Sequence, residues 1–281
     1  MKKTVGWNVV VVLFLLSITA CKSEYERIRL SGDPQTILDK GLSYYEDREY
    51  LKAQGLFELV LPAYRGKKEL EDIYFKYAYS YYYLGQYILA SYYFKNFSNT
   101  FSTSLLREEA DFMAAYSNFK LSPSYRLDQS YSEQAIEGFQ LFVNTYPDSD
   151  RVEECNRLID IMRNKMEEKA FAAAELYYNL RQYQAATQSF ENLLKDFPET
   201  ENAEQVRYMI VKSAYFLADN SIFEKRRERY KEAEKYANEY LAKFTGSDNL
   251  KEVQSILDDC EKKLKSIQDG GYQKQGAGAR S

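Results

Sequence analysis

Histidine is absent from all 281 residues, and with it go the usual general base, the usual metal ligand and the side chain that titrates near neutrality. Serine–histidine and cysteine–histidine catalysis are excluded on that ground. Glycine (12) and proline (5) are scarce, so neither a glycine-rich phosphate loop nor a turn-dense all-β fold is expected. Beyond residue 16 no stretch approaches the roughly 18 consecutive apolar residues of a membrane-spanning helix. A mostly helical chain of ordinary globular make-up remains, 45% hydrophobic and 28% charged. Its unusual feature is 27 Tyr and 16 Phe, enough ring surface to suggest contact faces as well as core.

The N-terminus reads as a processing signal. Lys2 and Lys3 precede the apolar run Val9 to Leu16, too short to span a bilayer but suited to a signal peptide. The run ends in Ser17-Ile18-Thr19-Ala20-Cys21, which resembles a bacterial lipobox, so residues 1–20 are expected to be removed and Cys21 to be lipidated. Acylation there holds a protein on a membrane without crossing it. The net charge is −4; removing residues 1–20 takes away two lysines and no acid, leaving −6, a balance that does not suit a nucleic-acid binder. Cys155 and Cys260 lack the short spacing of a designed framework; a disulfide between them and two idle thiols both fit, the second being commoner. No metal site and no cofactor are expected.

A repeat runs through the remainder. Gly41-x2-Tyr44 with Tyr50-x2-Ala53-x3-Phe57-x2-Val60 recurs 37 residues later as Ala78-x2-Tyr81 with Tyr87-x2-Ala90-x3-Phe94-x2-Phe97. A third copy keeps Ala135-x3-Phe139-x2-Phe142 and closes with Tyr146-Pro147. A fourth keeps Tyr183-x2-Ala186-x3-Phe190-x2-Leu193 and closes with Phe197-Pro198; a weaker fifth has Tyr230-x2-Ala233, Tyr240 and Phe244. Each unit reads as two helices broken at Asp47-Arg48-Glu49, Gly85-Gln86 or Leu180-Arg181-Gln182. The alanine lets the second helix approach its partner, and neighbouring units must stack to bury their apolar faces. These residues resemble the tetratricopeptide repeat, with Ile37 and Tyr74 in place of its tryptophan. The expected fold is all-α, a tetratricopeptide-like solenoid of about five helical hairpins.

One helix carries two aromatic stripes. Tyr74, Tyr77, Ala78 and Tyr81 form the stripe the repeat assigns to the core, while Phe75, Tyr79 and Tyr82, flanked by Tyr83, form a second row. Phe112, Tyr116 and Phe119 continue that row in the next unit and Tyr45 extends it backwards. If first helices line a concave surface, as the repeat implies, these eight rings form a half-wet groove suited to an extended peptide with alternating aromatic side chains; packing against other parts of the chain is the competing reading. Lys225, Arg226, Arg227 and Arg229, followed by Tyr230, make a basic run in an acidic protein that reads either as a solvated helix face or as a meeting point for an acidic partner.

Taken with Leu127-Asp128-Gln129, Tyr146-Pro147-Asp148-Ser149 and the Tyr183 to Pro198 unit, the lipobox and repeats resemble the BamD family, lipoproteins of the outer-membrane β-barrel assembly machinery. That resemblance implies a non-enzymatic scaffold, lipid-anchored on the periplasmic face of the outer membrane. It implies two partners: the periplasmic domains of the β-barrel insertase, docked on the C-terminal repeats near Tyr230, and unfolded outer-membrane proteins. The implied organisation is a signal peptide (1–20), a lipidated tether (21–32), a client-binding unit (33–150), a docking unit (151–265) and a flexible tail (266–281). Another tetratricopeptide cell-envelope adaptor, or a glycan-binding lipoprotein, shares several of these features.

Overall fold

The computed structural model describes residues 23–278, with side chains as far as Ile267; Cys21 and residues 1–20 lie outside the described residues. Twelve α-helices follow in order: α1 (Glu24–Arg29), α2 (Pro34–Glu46), α3 (Tyr50–Val60), α4 (Leu70–Tyr83), α5 (Tyr87–Thr100), α6 (Arg107–Leu121), α7 (Ser130–Thr145), α8 (Val152–Asn179), α9 (Tyr183–Asp196), α10 (Ala203–Asp219), α11 (Phe223–Lys243) and α12 (Leu250–Gly278). No strand occurs among the described residues. The all-α class follows directly. Consecutive helices pack as hairpins, α2 with α3, α4 with α5, α6 with α7 and α10 with α11.

The small residues of the repeat sit where helices come closest. Ala53, Ala90, Ala135, Ala186 and Ala233 have no exposed surface, and Phe57, Phe94, Phe139 and Phe190, one turn later, are equally sealed. In the last unit Ala237 takes the aromatic position, and Tyr230 fills the space from the preceding turn.

Each expected break is a helix cap. The N–H of Glu49 reaches the carbonyl of Tyr44 at 2.8 Å and that of Arg48 reaches Tyr45 at 3.1 Å; Gln86 and Gly85, then Gln182 and Arg181, repeat the pattern. This is a Schellman cap, which needs one residue in the left-handed region. Gly85 holds it at φ 71°, but Arg48 and Arg181 hold it at 60° and 59°, at the steric cost any side chain meets there.

The open ends of the hairpins close by a device spread over four turns. Phe101, Tyr146, Phe197 and Phe244 each end a second helix, and three residues on stand Ser104, Ser149, Thr200 and Ser247. Each hydroxyl oxygen accepts the N–H two residues later, Leu106 at 2.9 Å being one case. Ser104, Ser149 and Thr200 then donate to Glu71, Glu108 and Glu167 on the first helix of the same hairpin, and Ser247 reaches Glu204 through the Tyr240 hydroxyl. The first hairpin uses Tyr64, whose hydroxyl donates to Gln35 at 3.0 Å.

The chain divides into two compact units. The first comprises residues up to Pro123 and Asp128–Met162; the second comprises Ser124–Leu127 and Arg163 onward. The division therefore falls within α8 rather than near residue 150. In the first unit one apolar cluster runs from Ile37 to Ile159. In the second, Phe190, Val206, Val211, Tyr240 and Val253 centre one cluster, and Tyr230, Ala233 and Cys260 a smaller one. Cys155 and Cys260 are buried free thiols. Two stretches differ from expectation: residues 24–29 of the tether are helical, and α12 continues through the expected tail as far as Gly278.

Candidate functional site: a ladder of half-buried rings

Of the core stripe of α4, Tyr77, Ala78 and Tyr81 are buried, while Tyr74 is only half-buried. Tyr77 and Tyr81 satisfy each other's hydroxyls at 2.9 Å, and Tyr81 also takes the Gln54 amide at 3.0 Å. One residue round the helix the second row emerges. Tyr50 at the start of α3 stacks on Tyr83 with centroids 4.4 Å apart; Tyr83 stacks on Tyr79 at 5.6 Å; Tyr79 meets Tyr82 edge-on at 6.4 Å. Tyr82 then faces Tyr116 of α6 at 6.3 Å, and Tyr116 stacks on Phe119 at 5.5 Å. Tyr45 of α2 joins through Tyr50 at 5.5 Å, and Tyr87 of α5 through Tyr82, also at 5.5 Å. The rings therefore form one continuous ladder across the first three hairpins, in the stacked and edge-to-face geometries that aromatic quadrupoles favour.

Tyr83 is the most open rung at 49% exposed. Tyr45, Phe75, Tyr79, Tyr82, Tyr116 and Phe119 are half-buried. Phe112 departs from the expected groove: it is buried at 3%, between Phe139 and Phe142 at 5.9 and 5.8 Å and beneath the Arg151 guanidinium at 4.1 Å. Phe75 leans inward onto Phe97 at 5.1 Å without being sealed. Tyr50 and Tyr87 are rungs that sequence reasoning missed, because the Tyr-x2-Ala spacing had already assigned them to the repeat.

Burial sets the electrostatics of the ladder. It pushes the Tyr82 hydroxyl up to about 12, with the neighbouring Tyr116, Tyr87 and Tyr83 adding to the effect, and raises Tyr45 and Tyr79 well above the ordinary tyrosine value. Tyr79 donates to Glu109, which is ion-paired with Arg151. Besides that ion pair, the Lys120 ammonium stands 5.9 Å over the Tyr87 ring. The ladder can take flat or apolar groups by stacking and offers hydroxyls to a peptide backbone, and it presents no nucleophile or acid–base pair. Among the described residues no group of three or more acidic, cysteine or histidine side chains could hold a metal ion.

The basic run lies in the second unit, and two of its four cations are engaged within the chain. Arg226 donates to the Ser221 carbonyl at 2.8 Å, and Arg229 to the Ser221 hydroxyl at 2.5 Å. Tyr230, expected at a docking surface, is instead buried at 1% with its hydroxyl on Asp219 at 2.9 Å. Lys225 and Arg227 face solvent beside exposed Ile222 and Phe223. Lys225 and Arg229 line a polar depression of about 300 Å³ with Gln184, Gln188, Glu228 and Glu232. Among the described residues no helix is long and apolar enough to cross a membrane.

A family model described as YfiO, outer membrane lipoprotein, matches residues 31–229, well over half of the chain. The outer membrane protein assembly factor BamD of Rickettsia prowazekii (strain Madrid E) is 21% identical over 202 residues, which are 72% of this chain and 80% of the relative. Similar solved structures include a thermophilic tetratricopeptide-repeat protein of Thermus thermophilus, at 16% identity and TM-score 0.32 over 80% of this chain and 99% of its own. The TPR2AB domain of yeast Sti1 gives 10% and 0.37 over 81% and 98%. With scores this low neither carries an argument about shape, and the hairpin architecture rests on the packing described above.

Proposed function

The chain belongs to the YfiO family of outer membrane lipoproteins, and we propose that it is a non-catalytic scaffold for outer-membrane protein assembly, held to the membrane by lipid on Cys21. In this reading the ring ladder receives unfolded outer-membrane proteins through segments with alternating aromatic side chains. The second unit docks the periplasmic domains of the barrel insertase, with Lys225 and Arg227 as solvent-facing cations of the basic run. The observation that carries the reading is the ladder. Seven or more rings left half-wet in a chain whose core is otherwise sealed are costly to leave exposed, and their spacing along α4 and α6 matches a partner that stacks rather than one that reacts.

The test replaces Tyr82, Tyr83 and Tyr116 with Ala. These are partly exposed rungs, so the helical circular dichroism is expected to stay essentially unchanged while binding of a fluorescent peptide ending in alternating aromatic residues weakens severalfold. Unchanged peptide binding in the folded triple variant refutes the ladder as the client surface. Recovery of the insertase with the parent, and its loss on Lys225→Glu with Arg227→Glu, tests the second unit separately.

A further inference from the structure

Three exposed aliphatic side chains of the first unit gather at the turns of its first two hairpins, to which the start of α1 lies nearer than its end. Helix α1 is not a loose tether. Its Glu24 pairs with Lys40 of α2 at 2.9 Å, the Tyr25 ring lies 6.2 Å from Tyr44, and the Tyr25 hydroxyl occupies the space that the missing side chain of Gly55 leaves on α3. Lys40 and Lys52 both stand 4.9 Å over the Tyr44 ring, and Ser23 caps the helix by accepting the Glu26 N–H at 3.2 Å. The start of α1 is thereby held against the second half of α2 and the first half of α3, on the half of the hairpin that leads to the Asp47–Glu49 turn. Between Ser23 and Cys21 only Lys22 intervenes, and two residues span at most about 7 Å.

That same edge mixes charged and apolar side chains: Glu46, Asp47, Arg48 and Glu49 of the first turn are exposed. The Tyr50–Tyr83 stack at 4.4 Å joins the turn of the first hairpin to that of the second. Around it Leu51, Ile88 and Leu89 are exposed at 65%, 58% and 41%, with Arg48 and Gln86 also in solvent. Leu51 and Ile88 occupy the same position of the repeat. In the later hairpins that position carries Glu133, Gln184 and Lys231, all exposed and polar. An outward aliphatic side chain at this position thus occurs only in the two hairpins next to the anchor.

We infer that the edge formed by the turns of the first two hairpins lies on the phospholipid surface, with Leu51, Ile88 and Leu89 entering the headgroup region and Arg48 meeting anionic headgroups. Aliphatic and cationic side chains are the usual composition of an interfacial contact; Glu49 is ion-paired with Lys52, and the exposed Glu46 and Asp47 are the carboxylates that the contact leaves on its aqueous side. A protein partner there would have to share the edge with a bilayer to which Ser23 is tied by only about 7 Å of chain. The inference rests on the lipid-anchored reading above. It adds an orientation: the ladder, whose most open rung is Tyr83 at 49%, ends at the membrane surface.

The test uses the acylated full-length chain in vesicles of phosphatidylethanolamine and phosphatidylglycerol that contain lipid with nitroxide-labelled acyl chains. An environment-sensitive fluorophore is placed at Ile88→Cys or, as reference, at Leu105→Cys, which is 98% exposed at the opposite, open end of the second hairpin. The native thiols Cys155 and Cys260 are buried and should not label. The label at 88 is expected to shift to the blue and to be quenched severalfold more than that at 105. Equal quenching at the two positions, with flotation of the protein intact, overturns the inference and leaves the anchor standing. Flotation of Cys21→Ser as efficient as that of the parent refutes the anchor and removes both. Gly55→Leu, which displaces Tyr25, should free α1 and level the two positions without affecting acylation; a persistent difference there refutes the pinning by α1.

Discussion

Replacing Gly138 with Ala sets two effects of opposite sign against each other. The residue lies inside α7, where Ala in place of Gly normally favours the helix by about 1 kcal/mol. An added Cβ, however, would stand 2.7 Å from the Ala115 Cβ and 3.2 Å from its Cα on α6. Carbon atoms in good contact are about 3.5–4.0 Å apart, so the two helices must separate by roughly 1 Å, and overpacking of this kind costs about 1–3 kcal/mol. Neither carbon can rotate away, because both are fixed to helical backbone. The expected balance is a loss of about 1 kcal/mol, measured as a lower urea midpoint for the first unit by circular dichroism. Gly246 is the reference: an added Cβ there meets nothing within 4 Å, and Gly246→Ala should be neutral or stabilising by up to about 1 kcal/mol. Because Ala115 precedes Tyr116, spreading the hairpin also shifts the 6.3 Å contact between Tyr82 and Tyr116, and peptide binding should weaken. A midpoint that rises with Gly138→Ala as it does with Gly246→Ala refutes close approach as the reason for glycine at 138.

Three further outcomes are expected. Arg48→Gly should stabilise by about 1 kcal/mol by relieving a left-handed residue, whereas Gly85→Ala should cost about 1–2 kcal/mol; thermal denaturation of the two variants decides it, and matching signs refute the cap assignment. Ser149→Ala removes both the acceptor for the Arg151 N–H and the 2.6 Å donor to Glu108, and should lower stability by about 1–2 kcal/mol, seen as earlier unfolding in urea; an unchanged midpoint removes the latch. Alkaline stability should fall, because the folded chain holds the Tyr82 proton to about 12 against an ordinary value of 10.0. The stabilising contribution is whole below pH 10.0 and is lost as pH rises from there through the folded value. Spectrophotometric titration should find a late-ionising class of tyrosines in the native state that merges with the rest in denaturant; one class in both states refutes it.

Close packing is what made the repeat readable. Ala90 and Phe94 must keep their spacing because a larger residue at 90 or a smaller one at 94 would spoil the same interface, so the pattern survives in the letters. The aromatic row on α4 was legible for the same geometric reason. Phe112 and Tyr230 were not, because their burial depends on residues distant in sequence. Phe75 and Phe112 occupy one position of the repeat 37 residues apart, yet Arg151 covers only the second. Tyr230 belongs to a basic run by sequence, but its hydroxyl is claimed by Asp219, eleven residues earlier across a turn. The hydroxyl latch was half visible, as Tyr146-Pro147-Asp148-Ser149; its acceptor Glu108 lies 41 residues away, beyond any local pattern. Arg48 and Arg181 hid the left-handed caps, since glycine is the letter that would have announced them.

The half-wet state of the ladder also bears on how tightly it can bind. A ring pair formed on binding adds about 0.5–1.5 kcal/mol beyond the area it buries, so three or four new stacks contribute only a few kcal/mol against the ordering of an unfolded client. The rungs themselves are already ordered: Tyr79 is held by Tyr83, Phe94 and Glu109, and Tyr82 by Tyr87 and Tyr116. Little side-chain entropy remains to be lost on the protein's side, and most of the opposing term falls on the client. If the ladder is the client surface, the expected affinity is on the order of micromolar rather than nanomolar, with tolerance for any sequence that places flat groups at alternate positions. Under the proposed function, weak, degenerate stacking suits the release of many clients to an insertase, whereas a sealed pocket with paired charges would hold one ligand and pass on none.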